Sequence, residues 1–140
     1  MISVNRLSIE DARTLIEGAR KKADEISVPM CIVITDDSGN LIAFERMNGG
    51  KAHSIHVATD KAFTAGAARK ATHEYNEVNT PGSLAFGIHT EVGGRISTVG
   101  GGLPVMVDGE CVGGIGASSG TPAQDMEVSQ AGLDHFLASL

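Results

Sequence analysis

Apolar residues recur at helical spacing from Ala12 through Leu15, Ile16, Ala19, Ala23 and Ile26. Ser8 stands where an N-cap belongs, Asp11 three residues on completes a capping box, and Leu7 and Ala12 are spaced as a hydrophobic staple. The spacing predicts a helix over residues 9–25 with one apolar face. The pattern then changes. Met30 to Thr35 is a short apolar run rich in β-branched residues, which predicts a buried strand. Asp36-Asp37-Ser38-Gly39-Asn40 has the chemistry of a turn, and Leu41 to Arg46 returns as a second strand, so the two form a hairpin. Asn48-Gly49-Gly50 breaks the chain. From about residue 52 to 71 the alanines at 58, 62, 65 and 68 lie mostly on one side of a second helix, with Ile55 and Phe63 near them. Gly66 inside this helix costs about 1 kcal/mol relative to Ala, which points to a neighbour packed close there.

Residues 73–94 follow no period. Asn79-Thr80-Pro81-Gly82-Ser83 is a loop, and Leu84 to Ile88 suits a short helix or a strand equally. Arg95 to Val99 alternates and predicts a strand, Gly100-Gly101-Gly102 interrupts it, and Leu103 to Val107 predicts another. Asp108-Gly109 is a two-residue hairpin turn leading to a glycine-rich partner strand from Cys111 to Ala117. Thr121-Pro122-Ala123-Gln124 combines an N-cap, proline at the first helical position and a capping box, and opens a last helix to about residue 138. Strands cluster as hairpins rather than alternating with helices. That favours an α+β fold, an antiparallel sheet with helices packed on it.

Length and composition narrow the function classes. With 140 residues the chain has room for one domain, residues 1–140. A formal net charge of −6 argues against nucleic acid or an anionic membrane as partner. No window reaches the roughly 18 apolar residues of a membrane span, and no apolar N-terminal stretch has the form of a signal peptide; a cytoplasmic protein is expected. Cys31 and Cys111 both lie in apolar runs and read as buried free thiols, with no zinc-ligand spacing.

The candidate chemistry is sparse. No glycine run is followed by the Lys-Ser/Thr of a phosphate-binding loop, and Gly114-Ile115-Gly116 meets Ser119 where a dinucleotide fingerprint needs glycine. The run from Gly116 through Ser118 to Gly120 leads into the last helix, where free N–H groups would suit a carboxylate. His53, His56 and Asp60 share one face of the second helix, a spacing that suits haem iron, although a solvated face with two ordinary histidines is the commoner use. A protein-held metal lacks a third strong ligand, so none is expected. His73, His89 and His135 stand alone. Lys61, in an alanine-rich helix, and Arg46, at a strand end, are candidate anion clamps, and no catalytic nucleophile is evident.

Several stretches resemble one family. Val33 to Leu41 with Phe44 to Gly49 is similar to the opening hairpin of GlcG/HbpS-like (haem-degrading-domain) proteins. Ala58-Thr59-Asp60-Lys61-Ala62-Phe63-Thr64-Ala65 resembles their Lys-Ala-x-Thr-Ala helix. Gly100 to Val105, Asp108 to Gly116 and Ser119 to Asp125 resemble their Gly-Gly-x-Pro strand, glycine-rich hairpin and final helix start. The match is collinear over nearly the whole chain. The same family is similar to the C-terminal domain of PduO-type cobalamin adenosyltransferases. The resemblance implies a profilin-like three-layer fold with a five-stranded antiparallel sheet between helices. It also implies homo-oligomers and haem as the cofactor of some members. Arg46, Lys61 and Asp125 match family positions and are expected to line a pocket. The first helix lacks the histidine that the cobalamin-associated domain uses for haem, which leaves His53 and His56 as the expected haem ligands.

The expected function is thus an oligomeric haem- or tetrapyrrole-binding accessory protein, with Arg46 and Lys61 pairing with propionates. The alternative is an enzyme or carrier for a carboxylate or carbonyl metabolite of glycolate, glycerol or diol metabolism. There Lys61 acts as clamp or base, and Gly116, Ser118 and Asp125 stand near the ligand.

Overall fold

The computed structural model describes residues 1–140. Its central element is β1 (Cys31–Asp36), in which all six side chains are buried. Ile32 and Ile34 point into the main apolar cluster, whereas Cys31 and Val33 pack with Ala58 and Ala62 in a smaller one. A strand buried on both faces needs a layer on each side, and the chain supplies both. One layer is α1 (Ile9–Glu25) with α5 (Pro122–Ala138); the other is α2 (Ser54–Ala68).

Around β1 the sheet is completed by β2 (Leu41–Arg46), β3 (Gly102–Val107) and β4 (Glu110–Ser118), in the order β2-β1-β4-β3, with every pair antiparallel. Capping boxes form at Ser8 with Asp11 and at Thr121 with Gln124, so both long helices start where their sequence signals place them. Asp108 and Gly109 both take positive φ, 50° and 79°, as the mirror-image hairpin turn requires.

The glycines of β4 let α2 lie close to the sheet. A Cβ on Gly114 would sit 2.6 Å from the Gly66 nitrogen, and one on Gly116 2.6 Å from the Ala62 nitrogen. Gly66 answers from the helix side, since a Cβ there would meet Thr35 Oγ1 at 2.7 Å. These contacts explain a glycine that helix propensity alone disfavours.

The sheet has four strands, not the five expected. The expected strand at Arg95–Val99 does not form, because side-chain hydroxyls take the place of a neighbouring strand. Thr64 Oγ1 donates to the Arg95 carbonyl at 3.2 Å and accepts the Ser97 N–H at 2.9 Å. Thr72 Oγ1 donates to the Val99 carbonyl and accepts the Gly102 N–H at 3.0 Å. Helix hydroxyls thus take up the Arg95 and Val99 carbonyls and the Ser97 N–H, and the segment joins no ladder. Residues that carried no period contain a further helix, α3 (Thr72–Val78), then a 3₁₀ turn at Ile88–Thr90 and the single turn α4 (Glu91–Gly94). No helix is long and apolar enough to cross a membrane.

Candidate functional site

Lys61 is the largest fully buried side chain, 1% exposed. Its Nζ donates to Asp125 Oδ2 at 2.8 Å and to the Ala117 carbonyl at 3.0 Å. Asp125 Oδ1 accepts the Gly120 N–H at 2.9 Å. One ion pair therefore ties α2, the end of β4 and the first turn of α5 together. Beside it, Ser118 Oγ donates to Ser54 Oγ at 3.2 Å, and Ser129 Oγ donates to the Gly101 carbonyl at 2.7 Å. Gly101 has no room for a side chain: a Cβ would lie 2.9 Å from Lys61 Nζ.

The structure thus brings Lys61, Gly116, Ser118 and Asp125 together, but in the interior. Gly116 is spent on the approach of α2, and the Gly120 N–H already has an acceptor. Ser119, held at the unusual φ of 122°, accepts the Lys51 N–H on its Oγ at 3.0 Å and so fixes the loop before α2.

Arg46 stands apart from this group. It is exposed at the end of β2, and its Nε donates to the Gly50 carbonyl at 3.0 Å. It lines an open groove of about 530 Å³ between α1 and β2, together with Arg20, Asp24, Glu45 and Met47. Glu45 Oε2 is buried there without a hydrogen-bond partner, 4.0 Å from Arg20 Nε.

The five histidines divide by environment. His53 and His56 are exposed at the start of α2, and His53 makes no side-chain capping bond. His73, on α3, has a buried Nδ1 with no partner. His135 Nε2 lies 3.6 Å from Glu17 on the neighbouring helix. His89 is exposed, and its Nδ1 meets the side chain of Asn79, 3.0 Å from Nδ2 and 3.2 Å from Oδ1. Asn79 Oδ1 also accepts the Gly87 N–H at 2.9 Å. Sequence reasoning set His89 aside because a loop contact across ten residues leaves no periodic signal. No group of three or more His, Cys, Asp or Glu side chains is close enough to hold a metal ion.

Between Asn79 and Gly101 the chain exposes large apolar side chains: Leu84 is fully exposed, and Phe86 and Val92 are more than half exposed. Arg95 fixes the end of this segment to α2, with its guanidinium 3.8 Å from the Phe63 ring centroid and its Nε 3.3 Å from Asp60 Oδ1. Cys31 and Cys111 are buried free thiols, and burial pushes both above the ordinary thiol range.

Comparison with known proteins gives a consistent result. The model of a family described as haem-degrading, HbpS-like proteins matches residues 7–134. The chain is similar to a crystal structure of the Klebsiella pneumoniae protein ORFY, with a TM-score of 0.96 and 31% identity over 99% of this chain and 95% of that one. It is similar to the structure of a PduOC:haem complex, with a TM-score of 0.89 and 34% identity over 93% of this chain and 94% of that one. The corrinoid adenosyltransferase PduO of Salmonella typhimurium is 35% identical over 91% of this chain, which spans 38% of that enzyme's length.

Proposed function

The chain belongs to the HbpS-like family, and on that premise we propose that it is a haem- or related tetrapyrrole-binding accessory protein. The observation that carries the reading is the similarity to the PduOC:haem complex, at 34% identity and a TM-score of 0.89. A bound porphyrin needs apolar surface for its ring, donors for its propionates and a ligand for its iron. The chain offers each: exposed apolar side chains at Leu84, Phe86 and Val92, an exposed guanidinium at Arg46, and exposed imidazoles at His53, His56 and His89. When bound, haem supplies an iron centre able to take an axial ligand. The protein's part is to orient it and limit its contact with water.

Lys61 and Asp125 serve this function from the interior. Their ion pair fixes the junction of α2, β4 and α5, and with it the helix that starts after His53 and carries His56. We further propose that the protein is cytoplasmic and that copies associate. β2 pairs only with β1, so one side of its backbone is open, and Leu41 and Phe44 are exposed on it. The opposite edge strand, β3, carries Pro104, which has no N–H to offer a neighbour.

The test is a titration of the purified apo-protein with haem, followed by absorbance. The expected outcome is a saturable Soret shift at one haem per protomer or per pair. Weak, non-saturating binding refutes the reading and moves attention to short carboxylates, aldehydes and diols, screened by thermal stabilisation.

A further inference from the structure

We infer that the groove between α1 and β2 binds a small dipolar molecule, one that carries an ammonium and a carboxylate a few bonds apart; the inference goes beyond the haem reading and does not rest on it. The groove encloses about 530 Å³, a volume that suits a small molecule. Charges of both signs line it without satisfying one another. Arg46 and Asp24 make no ion pair, and Arg20 Nε stops 4.0 Å short of Glu45 Oε2. A simple anion would meet Asp24 and Glu45 as like charges, and a simple cation would meet Arg20 and Arg46. A molecule that carries both charges finds a partner for each.

Two positions in this groove carry a cost that the fold does not explain. Glu45 Oε2 has neither water nor a donor, a costly state for a carboxylate oxygen. The Glu45 side chain as a whole is 37% exposed, so a turn about its own bonds presents that oxygen to an ammonium in the groove. The second position is Ser27, held at a φ of 57°. Its N–H donates to the Asp24 carbonyl and the Val28 N–H to the Ala23 carbonyl, an ending of α1 that ordinarily takes glycine at this position. The backbone makes both of those bonds, so the helix end has no use for a side chain there. The Ser27 side chain lines the groove, and its hydroxyl makes no hydrogen bond within the chain.

The roles follow from the chemistry of each group. Arg46 Nε donates to the Gly50 carbonyl at 3.0 Å, and that loop is itself tight: Gly49 takes a φ of 94° where a Cβ would lie 3.0 Å from Pro29. The guanidinium is thereby held, and its remaining donors form a planar fork that suits a carboxylate. Glu45 and Asp24 take the ammonium, and the Ser27 hydroxyl adds a hydrogen bond. Val28 and Met47 offer apolar surface to the methylenes between the two charges.

The experiment is an NMR titration of the full chain, free of haem, with the straight-chain amino acids from 3-aminopropanoate to 6-aminohexanoate. Butanoate and butylamine, each with one charge, run beside them at equal ionic strength. One chain length is expected to saturate, with shifts confined to residues 20–29 and 45–50, and the singly charged compounds to bind about tenfold more weakly or worse. Arg46→Gln and Glu45→Gln should each lose about tenfold in affinity for that amino acid. Lys21→Gln, on α1 outside the groove, should keep it. Ser27→Gly separates binding from folding: glycine suits the backbone there, so Tm should be no lower, yet affinity should fall about threefold with the loss of the hydroxyl. Butanoate binding as well as the amino acids would make this a plain anion site and overturn the inference. So would the absence of saturation across the series, shifts centred elsewhere, or an Arg46→Gln or Glu45→Gln variant that binds as wild type does. None of these results bears on the haem titration, which is judged by its own Soret shift.

Discussion

Removing the Asp125 carboxylate isolates a charge in the interior, and the size of the effect follows from the contacts. The two side chains are 1% and 4% exposed and meet at 2.8 Å. In Asp125→Ala the Lys61 ammonium keeps only the Ala117 carbonyl, 3.0 Å away, and the Gly120 N–H loses its acceptor. Breaking a buried pair from one side costs about 3–5 kcal/mol, because the remaining charge is neither solvated nor paired. For a chain of this length that lowers Tm by roughly 10–20 °C. Lys61→Met leaves the opposite charge and should cost a similar amount. The double variant Lys61→Met with Asp125→Leu removes both charges and leaves the Ala117 carbonyl and the Gly120 N–H short of a partner, so it should recover most of the loss and end about 1–2 kcal/mol below wild type. With no Trp and a single Tyr, urea unfolding is best followed by far-UV circular dichroism, at one fixed protein concentration so that association does not shift the midpoint. Single variants that each lose under about 1 kcal/mol, or a double variant no better than the singles, would refute the assignment of this pair as an interior fastening.

Gly114→Ala drives a methyl toward the backbone of α2 at Gly66 and should cost about 1–3 kcal/mol or more, read from the urea midpoint. Thr64→Val leaves the Arg95 carbonyl and Ser97 N–H without their hydroxyl; faster amide exchange is expected over residues 95–99, with β1 unchanged, and equal acceleration across the sheet would show the anchor to be global. Arg6 lies 2.6 Å from Asp37 and, through that hydrogen bond first, holds its carboxyl below the ordinary value of 3.8. A lowered folded value contributes stability above the unfolded pKa that is lost as pH falls through the folded one, so Arg6→Ala should raise the Asp37 pKa seen by NMR and flatten the acid limb of the stability profile below about pH 4. Both cysteines should resist a thiol reagent at pH 8 until urea unfolds the chain, since burial raises their pKa and blocks access; rapid native labelling would contradict their placement.

Local signals survived into the structure wherever the cause was itself local. The capping boxes at Ser8 and Thr121, the Asp108-Gly109 turn and the period of α1 each depend on residues within a turn or two, so a sequence carries them whole. The family resemblance was legible for a related reason: its motifs are runs of close neighbours. Gly66 was recognisable as an anomaly, but its cause, Thr35 and Gly114 across the sheet, was not.

What only the tertiary structure decided were the pairings between residues far apart in the chain. Arg95 to Val99 alternates as a strand should, yet alternation states which side chains share a face and says nothing of whether a partner strand is there; the hydroxyls of Thr64 and Thr72, from α2 and α3, took that place. Lys61 carried the signature of a ligand group, a cation among small residues, and the same signature suits a buried cation once Asp125, 64 positions later, arrives beside it. The contact of His89 with Asn79 had no signature at all. In each case the sequence determined the donors and acceptors, and chain topology, through the close packing that glycine-rich β4 allows, decided which of them could reach each other.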